Sequence, residues 1–191
     1  FGTYLYLRSG PGNGQAFAHY GFVSRNNVPA LTNWTFEARL WGFTSTSTTG
    51  SHMALGWLSG STSSPSDQSP VAGLDFHIGG GTLQTSFVWP GGSCGLTSDS
   101  SGIATAFDSS VTTPVHVAES YDGTTVRGFI NGTQVCSQAT SSAGLAAGPF
   151  GFMDNAGLAQ GYFDEIRVSS VARYTANVTP PTQRFATELT R

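Results

Sequence analysis

The chain has 191 residues, of which only 10% are charged, and a formal net charge of −3. It contains no lysine, and its eight arginines are scattered, so no basic stretch is present that would neutralise a run of nucleic-acid phosphates. Apolar runs are a few residues long, whereas a helix that crosses a membrane needs about 20. We therefore expect neither nucleic-acid binding nor membrane insertion, and the length predicts a single domain over residues 1–191.

Alternating strand patterns begin with WTFEARLWGF, residues 34–43. The apolar residues of this strand share one face, and Trp41 falls on the other face beside charged residues. Further along, GLDFHIG and LQTSFVW alternate in the same way and flank the turn GGGT. This pattern predicts a hairpin that carries His77 and ends at Trp89.

The segment VHVAESYDGTTVRGFINGTQVCSQ contains two turn dipeptides, Asp122-Gly123 and Asn131-Gly132. Asp-Gly and Asn-Gly favour type I′ turns, whose twist matches that of antiparallel strands. The segment therefore predicts a meander of three strands. PFGFMDNAGLAQGYFDEIRV repeats the pattern with a longer turn, DNAG, at residues 154–157.

Helical periodicity is almost absent, and we expect only a short helical turn, over Val171 to Tyr174. The chain contains about ten to thirteen strand patterns in all. So many evenly spaced strands predict an all-β fold in which two antiparallel sheets stack as a sandwich.

A family resemblance is carried by WTFEARL, HVAESYDGTTVRGFINGTQV and GYFDEIRVSSVARYTANVTPP, in this order. Together they resemble the laminin-G-like, concanavalin-A-type jelly-roll family over most of the chain. The resemblance implies a jelly roll of two stacked antiparallel sheets, one face of which is concave. The variant that ends in ARYTANVTPP resembles modules of phage virion proteins and of other bacterial or extracellular surface proteins. It implies an extracellular or virion-surface location.

Glycan-cleaving enzymes share this broad fold, so the adjacent acids Asp164 and Glu165 need a geometric test. A glycosidase places two carboxylates on one substrate, about 5 to 5.5 Å apart for retention and about 6.5 to 9.5 Å apart for inversion. Neighbours in a strand point to opposite faces, so these two acids cannot form such a pair. The Glu-x-Asp-x-x-Glu motif of the glucanases of this fold is absent. We therefore predict that the chain is not an enzyme.

A polysaccharide lyase stays open as an alternative, together with a glycoside hydrolase. A lyase-like site of this fold combines arginine, glutamine, histidine and tyrosine on neighbouring strands. His77, His116, Tyr121 and Arg127 would meet most of that description if they converged in space.

Asp164 shares a strand face with apolar residues, so we expect it to point toward the interior near the end of a sheet. A buried carboxylate must be hydrogen-bonded, paired or bound to a metal. It could accept backbone amides or pair with an arginine such as Arg173. It could also join Asp154 and Asn155 in a structural calcium site, because calcium takes about six to eight oxygen ligands.

Two cysteines, Cys94 in WPGGSCGLT and Cys136 in TQVCSQ, allow one intramolecular pairing. They form either a disulfide or two unrelated buried thiols. A disulfide would fit an oxidising compartment, where such bonds persist.

Aromatic residues are the main candidates for ligand binding, because sugars stack their apolar faces on tryptophan or tyrosine. Trp89 ends a strand at a Gly/Pro loop, where a ring is hard to bury, and Trp41 lies opposite the apolar face of its strand. His77 and Arg127 complete the predicted ligand-binding set. The structural alternatives are Trp89 at the edge of the core and Trp41 packed in the other layer.

The sequence therefore predicts a non-catalytic surface attachment module. In one version it is lectin-like and binds a glycan or cell-surface polysaccharide. In the other it is a decoration or assembly component of a phage capsid or tail and contacts neighbouring virion proteins. A lectin is expected to expose Trp89 or Trp41 beside polar groups, whereas a decoration protein is expected to show an apolar patch.

Overall fold

The structure, a computed structural model, describes residues 5–8, 20–45, 49–58, 70–79, 82–95, 113–155 and 159–182. These ranges contain twelve β-strands, and no helix among them is long and apolar enough to cross a membrane. The strands are β1 (Leu5–Arg8), β2 (Tyr20–Val28), β3 (Trp34–Ser45), β4 (Thr49–Leu58), β5 (Pro70–Gly79), β6 (Thr82–Trp89), β7 (Gly92–Gly95), β8 (Val115–Tyr121), β9 (Thr125–Ile130), β10 (Thr133–Ala139), β11 (Gly148–Asn155) and β12 (Ala159–Ser169).

The strands form two six-stranded sheets in which every neighbouring pair is antiparallel. Sheet A has the strand order β1-β12-β3-β8-β9-β10, and sheet B has the order β2-β11-β4-β5-β6-β7. The predicted all-β fold with two stacked antiparallel sheets is confirmed.

The core lies between the inner faces of the two sheets. On β3, the predicted alternation places Phe36 and Leu40 inside, at 3% and 0% exposure. Trp34 and Trp57 are core residues as well, and their indole N–H groups donate to backbone carbonyls of the segment 143–146. Other core side chains include Leu55, Leu74, Phe87, Trp89, Val117 and Val126.

The hairpin predicted around GGGT is confirmed by the pairing of β5 with β6, and the meander by β8, β9 and β10. Between β9 and β10, Asn131 and Gly132 have φ angles of 48° and 77°, as a type I′ turn requires. Asp122 has no positive φ, so the type I′ turn predicted at Asp122-Gly123 is wrong. Its carboxylate instead accepts the backbone amides two and three residues later, at 2.9 and 2.8 Å, and so holds a longer connection.

The strands on either side of the DNAG segment do not pair with each other. β11 lies in sheet B between β2 and β4, and β12 lies in sheet A between β1 and β3. The prediction that the meander pattern repeats at residues 154–157 is therefore wrong, because the chain passes from one sheet to the other there. Ala156 and Gly157 of the predicted turn lie outside the described residues.

A β-bulge interrupts the alternation of β12. Asp164 is the Cα partner of Arg39 and Arg167 is the partner of Glu37, so β12 has one more residue here than β3. Glu165, in the bulge, has a φ of 53°. Asp164 therefore lies on the outer face of sheet A, and the expectation that it points into the interior is wrong.

Residues 170–182 follow β12 and form the C-terminal strap, which crosses the outer face of sheet A. Near its start, the Thr35 hydroxyl donates to the Val171 carbonyl at 2.8 Å. Further on, the Val178 amide donates to the Gly132 carbonyl at 2.9 Å, at the turn between β9 and β10. The predicted helical turn over Val171 to Tyr174 is absent, since Val171 lies in a bend and residues 172–174 have no regular secondary structure.

Cys94 and Cys136 form a disulfide, with 6.2 Å between their Cα atoms. Cys94 lies in β7, the edge strand of sheet B, and Cys136 lies in β10, the edge strand of sheet A. Of the two alternatives that the sequence left open, the structure contains the disulfide. The bond ties the two sheets together along one edge of the sandwich.

Candidate functional site

The C-terminal strap divides the outer face of sheet A into a covered part and an open part. In the covered part, Tyr174 of the strap packs against Ala118 and Phe129, both of which are fully buried. In the open part, Trp41 and Tyr162 remain partly exposed. The two parts therefore differ in what a ligand can reach.

The carboxylate of Glu37 is the centre of the covered part. Its Oε2 accepts the Tyr174 hydroxyl at 2.6 Å and lies 3.1 Å from Nε2 of His116. Its Oε1 lies 2.7 Å from both Nε and Nη2 of Arg167. Glu37 is 0% exposed, so β8, β12 and the strap close around one acid.

The electrostatics of this cluster favour an ionised Glu37 and a neutral Tyr174. Burial is the largest single influence on the pKa of Glu37 and would raise it. The hydrogen bonds from His116, Tyr174 and Arg167, together with the Arg167 charge, outweigh burial and lower this pKa below its ordinary value. Burial, and then the hydrogen bond and charge of Glu37, raise the pKa of the Tyr174 hydroxyl.

An acid, a histidine and a tyrosine in contact have the composition of a catalytic site, but their position is that of a structural anchor. A catalytic acid or base must come within reach of the substrate. Glu37 and His116 are 0% and 1% exposed. Sequence reasoning missed the cluster because Tyr174 is 137 residues from Glu37. The sequence does contain one signal of this cluster: Glu37 lies in a strand, and a carboxylate that becomes buried there needs hydrogen-bond donors or a positive charge.

In the open part, Trp41 of β3 stacks on Tyr162 of β12. The ring centroids are 5.4 Å apart and the ring planes differ by 10°. The two residues are Cα partners on neighbouring strands. Trp41 thus lies opposite the apolar face of its strand, as the sequence predicted, whereas its pairing with Tyr162 was not predicted. Because the rings stack on each other, one face of each is occupied, and the exposed edges and outer faces are the parts that the apolar face of a sugar can contact.

Two charged residues lie beside this aromatic pair. Arg39 and Asp164 are Cα partners, each two residues along its strand from the paired rings. Arg39 is buried and donates to the Pro181 carbonyl near the end of the strap. Asp164 is partly exposed. We call Trp41, Tyr162, Arg39 and Asp164 the aromatic patch.

One carboxylate oxygen of Asp164 accepts a hydrogen bond from a backbone amide. This contact is one of the alternatives that the sequence left open. Its Oδ1 accepts the Glu165 amide at 2.9 Å. Arg173, the arginine considered as a partner, instead donates from Nε to the Ser169 hydroxyl at 2.6 Å. The bulge therefore provides its own contact to the carboxylate.

Trp89 is 2% exposed and belongs to the hydrophobic core. Its indole folds over Gly92 of β7, where an added Cβ would lie 2.7 Å from the ring nitrogen. The expectation that the Gly/Pro loop keeps this ring at the surface is therefore wrong, because a glycine on the neighbouring strand makes room for it. Trp89 offers no ring face to a ligand.

The residues of the lyase-like alternative do not converge. Tyr121 packs in the core against Trp34, 6.1 Å between ring centroids. Arg127 lies on the outer face of sheet A, opposite to Tyr121, and its Nη1 is 2.6 Å from Oδ2 of Asp122. This ion pair holds the connection between β8 and β9, so Arg127 has a structural role. Its ligand-binding role stays a prediction. His116 is in contact with the buried Glu37.

His77 lies on β5 in sheet B, away from the residues of sheet A. Its backbone is paired with His52 of β4 and Gln84 of β6. The side chain of His77 lies outside the described residues. Its ligand-binding role stays a prediction.

The residues of the predicted calcium site are placed in different sheets. Asp154 and Asn155 end β11 in sheet B, whereas Asp164 lies on the outer face of sheet A. The side chains of Asp154 and Asn155 fall outside the described part of the chain. Within that part, no group of three or more His, Cys, Asp or Glu side chains could hold a metal ion. Calcium binding stays a prediction, which melting curves with and without a chelator would test.

No protein-family model matches the chain, and no curated protein matches it. The solved structures include similar folds. The heptameric SAP-like pentraxin of Limulus polyphemus is 14% identical, with a TM-score of 0.51 over 89% of this chain and 77% of that chain. The fold is a jelly-roll β-sandwich. At this level of identity the similarity shows the fold alone.

Two carbohydrate-binding modules superpose less closely. CBM40 of a Ruminococcus gnavus sialidase, bound to α2,3-sialyllactose, is 12% identical, with a TM-score of 0.48 over 82% of this chain and 94% of that chain. CBM66 of Bacillus subtilis is 13% identical, with a TM-score of 0.41 over 88% and 92%. The finer assignment to the laminin-G-like group stays a prediction.

Proposed function

We propose that the protein is a non-catalytic carbohydrate-binding module, and that a glycan or cell-surface polysaccharide packs on the aromatic patch. The observation that carries this proposal is the stacked pair of Trp41 and Tyr162, both partly exposed, with the partly exposed Asp164 two residues along β12 from Tyr162. A sugar ring has an apolar face that packs on aromatic rings and hydroxyl groups that donate to carboxylates.

The proposal is non-catalytic because the described acid and base groups considered for catalysis are buried or belong to one bulge. Glu37 and His116 are buried beneath the strap, and Tyr121 packs in the core. Asp164 and Glu165 belong to one bulge, in which the first accepts the backbone amide of the second. None of these arrangements holds two carboxylates across one glycosidic bond.

An extracellular or virion-surface location is part of the proposal. The disulfide between Cys94 and Cys136 supports it, because structural disulfides persist in oxidising surroundings and are rare in the cytosol. The resemblance of the segment ending in ARYTANVTPP to surface and virion modules points the same way.

An assembly role on a capsid or tail is the second candidate, and exposed aliphatic side chains favour it. These residues, 37% to 53% exposed, are Val135, Ile166, Val171 and Val178. Scattered exposed aliphatic residues are ordinary on protein surfaces, so the aromatic patch is the stronger observation.

The test of the proposed function is binding of the purified protein to an array rich in bacterial glycans, in calcium and again after chelation. We expect binding that falls at least about tenfold in Trp41→Ala, since truncating a tryptophan at a binding hot spot costs about 2 kcal/mol or more. Val171→Ala, an exposed change on the strap, is the control and is expected to bind normally. Circular dichroism confirms that each variant folds.

Absence of binding to the whole array, with folded protein, would contradict the proposal and favour the assembly role. Binding that survives Trp41→Ala unchanged would move the site away from the aromatic patch. Loss of binding on chelation would show that calcium takes part.

A further inference from the structure

The two charged residues of the aromatic patch differ in what they offer a ligand. Asp164 is partly exposed, and only its Oδ1 is engaged, by the Glu165 backbone amide at 2.9 Å. Its Oδ2 has no hydrogen-bond partner among the residues that the structure describes. A carboxylate oxygen in this position accepts hydrogen bonds and donates none.

Two arginines near Asp164 have their guanidinium groups engaged by other described residues. A third, Arg8 of β1, is two residues along its strand from the Cα partner of Tyr162, and its side chain lies outside the described residues. Arg39, the Cα partner of Asp164, is 7% exposed and donates to the Pro181 carbonyl. Arg167, three residues after Asp164, places its guanidinium on the buried carboxylate of Glu37. Asp164 is therefore the charged residue of the aromatic patch that keeps a hydrogen-bond acceptor oxygen available at the partly exposed surface.

We infer that the aromatic patch selects glycans that are uncharged or carry an amino group, and that it rejects glycans bearing carboxylate or sulfate groups. This inference rests on the proposed function. A hydroxyl or ammonium group can donate to Oδ2 of Asp164, whereas an anionic group placed there meets a like charge. Like charges brought together in an interface are strongly unfavourable, because both lose water without gaining a partner.

The experiment compares glycans that share a backbone and differ in charge. Calorimetric titration at low salt uses three pairs: dextran and dextran sulfate, N-acetyllactosamine and its sialylated form, and chitosan and its fully acetylated oligomers. For the first two pairs we expect the uncharged member to bind at least about tenfold more tightly than the anionic member. We expect chitosan to bind at least as tightly as its acetylated form, and this preference to weaken as salt screens the charge.

Asp164→Asn tests the residue itself, because it removes the charge and keeps the shape. We expect this variant to bind the uncharged member several-fold more weakly and the anionic member more tightly, so that the preference falls. Glu165→Gln is the matched control, since it removes the same charge from the neighbouring, partly exposed residue of the bulge and keeps the backbone amide that Asp164 accepts. The control is expected to keep the preference of the unmodified protein.

The outcomes separate the two proposals. Equal or tighter binding of the anionic members, or an Asp164→Asn variant that weakens both members of a pair alike, would overturn the inference and leave carbohydrate binding intact. Failure of every glycan to bind the folded protein would overturn both. If the preference for uncharged glycans changes equally in Asp164→Asn and Glu165→Gln, it depends on net charge, and the role of Asp164 is overturned.

Discussion

The hydroxyl of Tyr174 donates to Oε2 of Glu37 across 2.6 Å, and this bond joins the C-terminal strap to the middle of sheet A. Glu37 is fully buried, so the strap contributes a donor that the ionised carboxylate needs. Tyr174 also packs its ring on Phe129, with 5.8 Å between ring centroids. Tyr174 therefore anchors the strap through both polarity and packing.

Replacing Tyr174 by Phe removes the donor and keeps the ring. We expect a loss of about 1.5 to 3 kcal/mol in the free energy of unfolding, because the lost bond has a charged acceptor that stays buried. Urea unfolding followed by fluorescence measures it. Tyr121→Phe is the matched control: its hydroxyl donates to the neutral Gly123 carbonyl at 2.9 Å, and we expect about 1 kcal/mol. Equal losses in the two variants would contradict the special position of Tyr174.

Gly132 is the second point at which the strap is fixed. Its φ is +77°, and an added Cβ would overlap the Val178 carbonyl oxygen. Gly91 has a similar φ of +82°, but a Cβ there would lie 3.5 Å from its nearest neighbour, Oγ of Ser142. Both alanine variants meet the same backbone strain, and only Gly132→Ala must also displace the strap.

We therefore expect Gly91→Ala to lose about 1 to 2 kcal/mol of stability and Gly132→Ala to lose clearly more, about 3 kcal/mol or above. Thermal melts of both variants give the comparison. Hydrogen exchange of the Val178 amide, which donates to the Gly132 carbonyl, is expected to accelerate in Gly132→Ala alone. Equal losses of stability in the two variants would show that displacing the strap does not destabilise the protein.

The sequence was sufficient for the sheets because turn residues and alternation are local signals. Asn131-Gly132 needs two positive φ angles, and only a narrow set of residues takes them readily. The passage from β11 to β12 was misread because a strand end followed by a turn has the same local pattern whether the next strand pairs with it or joins the other sheet. That choice is made by long-range pairing, which composition does not record.

The candidate site was predictable only in part, for the same reason. Strict alternation correctly put Trp41 on the outer face, but it misplaced Asp164, since one extra residue in the bulge at Glu165 reverses the faces. Of the two interpretations of Trp89, the structure has the core one, and the sequence left the choice open because the residue that makes room for the ring, Gly92, lies on the neighbouring strand. Each error concerns a contact between segments and not a property of one segment.

The disulfide between Cys94 and Cys136 is expected to contribute strongly to stability. It spans a sequence separation of 42 residues, for which loop closure in the unfolded chain corresponds to about 4 kcal/mol. Reduction, or replacement of both cysteines by serine, should lower the melting temperature by about 8 to 16 °C for a chain of this size. Calorimetry with and without reductant measures the shift. The double serine variant should not respond to reductant, and an unchanged melting temperature in the reduced protein would contradict the expectation.

Glu119 is a carboxyl group inside the sandwich. It is the Cα partner of the core residue Phe36 and is 0% exposed. Neither of its oxygens makes a hydrogen bond of ordinary distance and angle to any residue that the structure describes. Burial raises the pKa of Glu119 well above 4.5, and the Gly73 backbone amide, which acts in the opposite direction, does not offset it. The folded protein therefore keeps a proton on this group at pH values where the unfolded chain has released it.

This difference makes stability depend on pH in a defined direction. Because the folded-state pKa of Glu119 is raised, its contribution to stability is fully present below the unfolded value near 4.5 and is lost as the pH rises toward the folded-state pKa. Each pH unit in that window removes about 1.4 kcal/mol. We expect Glu119→Gln, which cannot ionise, to match the unmodified protein near pH 4.5 and to become progressively more stable than it at higher pH. Urea unfolding from pH 4.5 upward measures the two profiles, with Glu165→Gln, a change at a partly exposed acid, as the control. Parallel profiles for the unmodified protein and Glu119→Gln would show that the buried group ionises without cost.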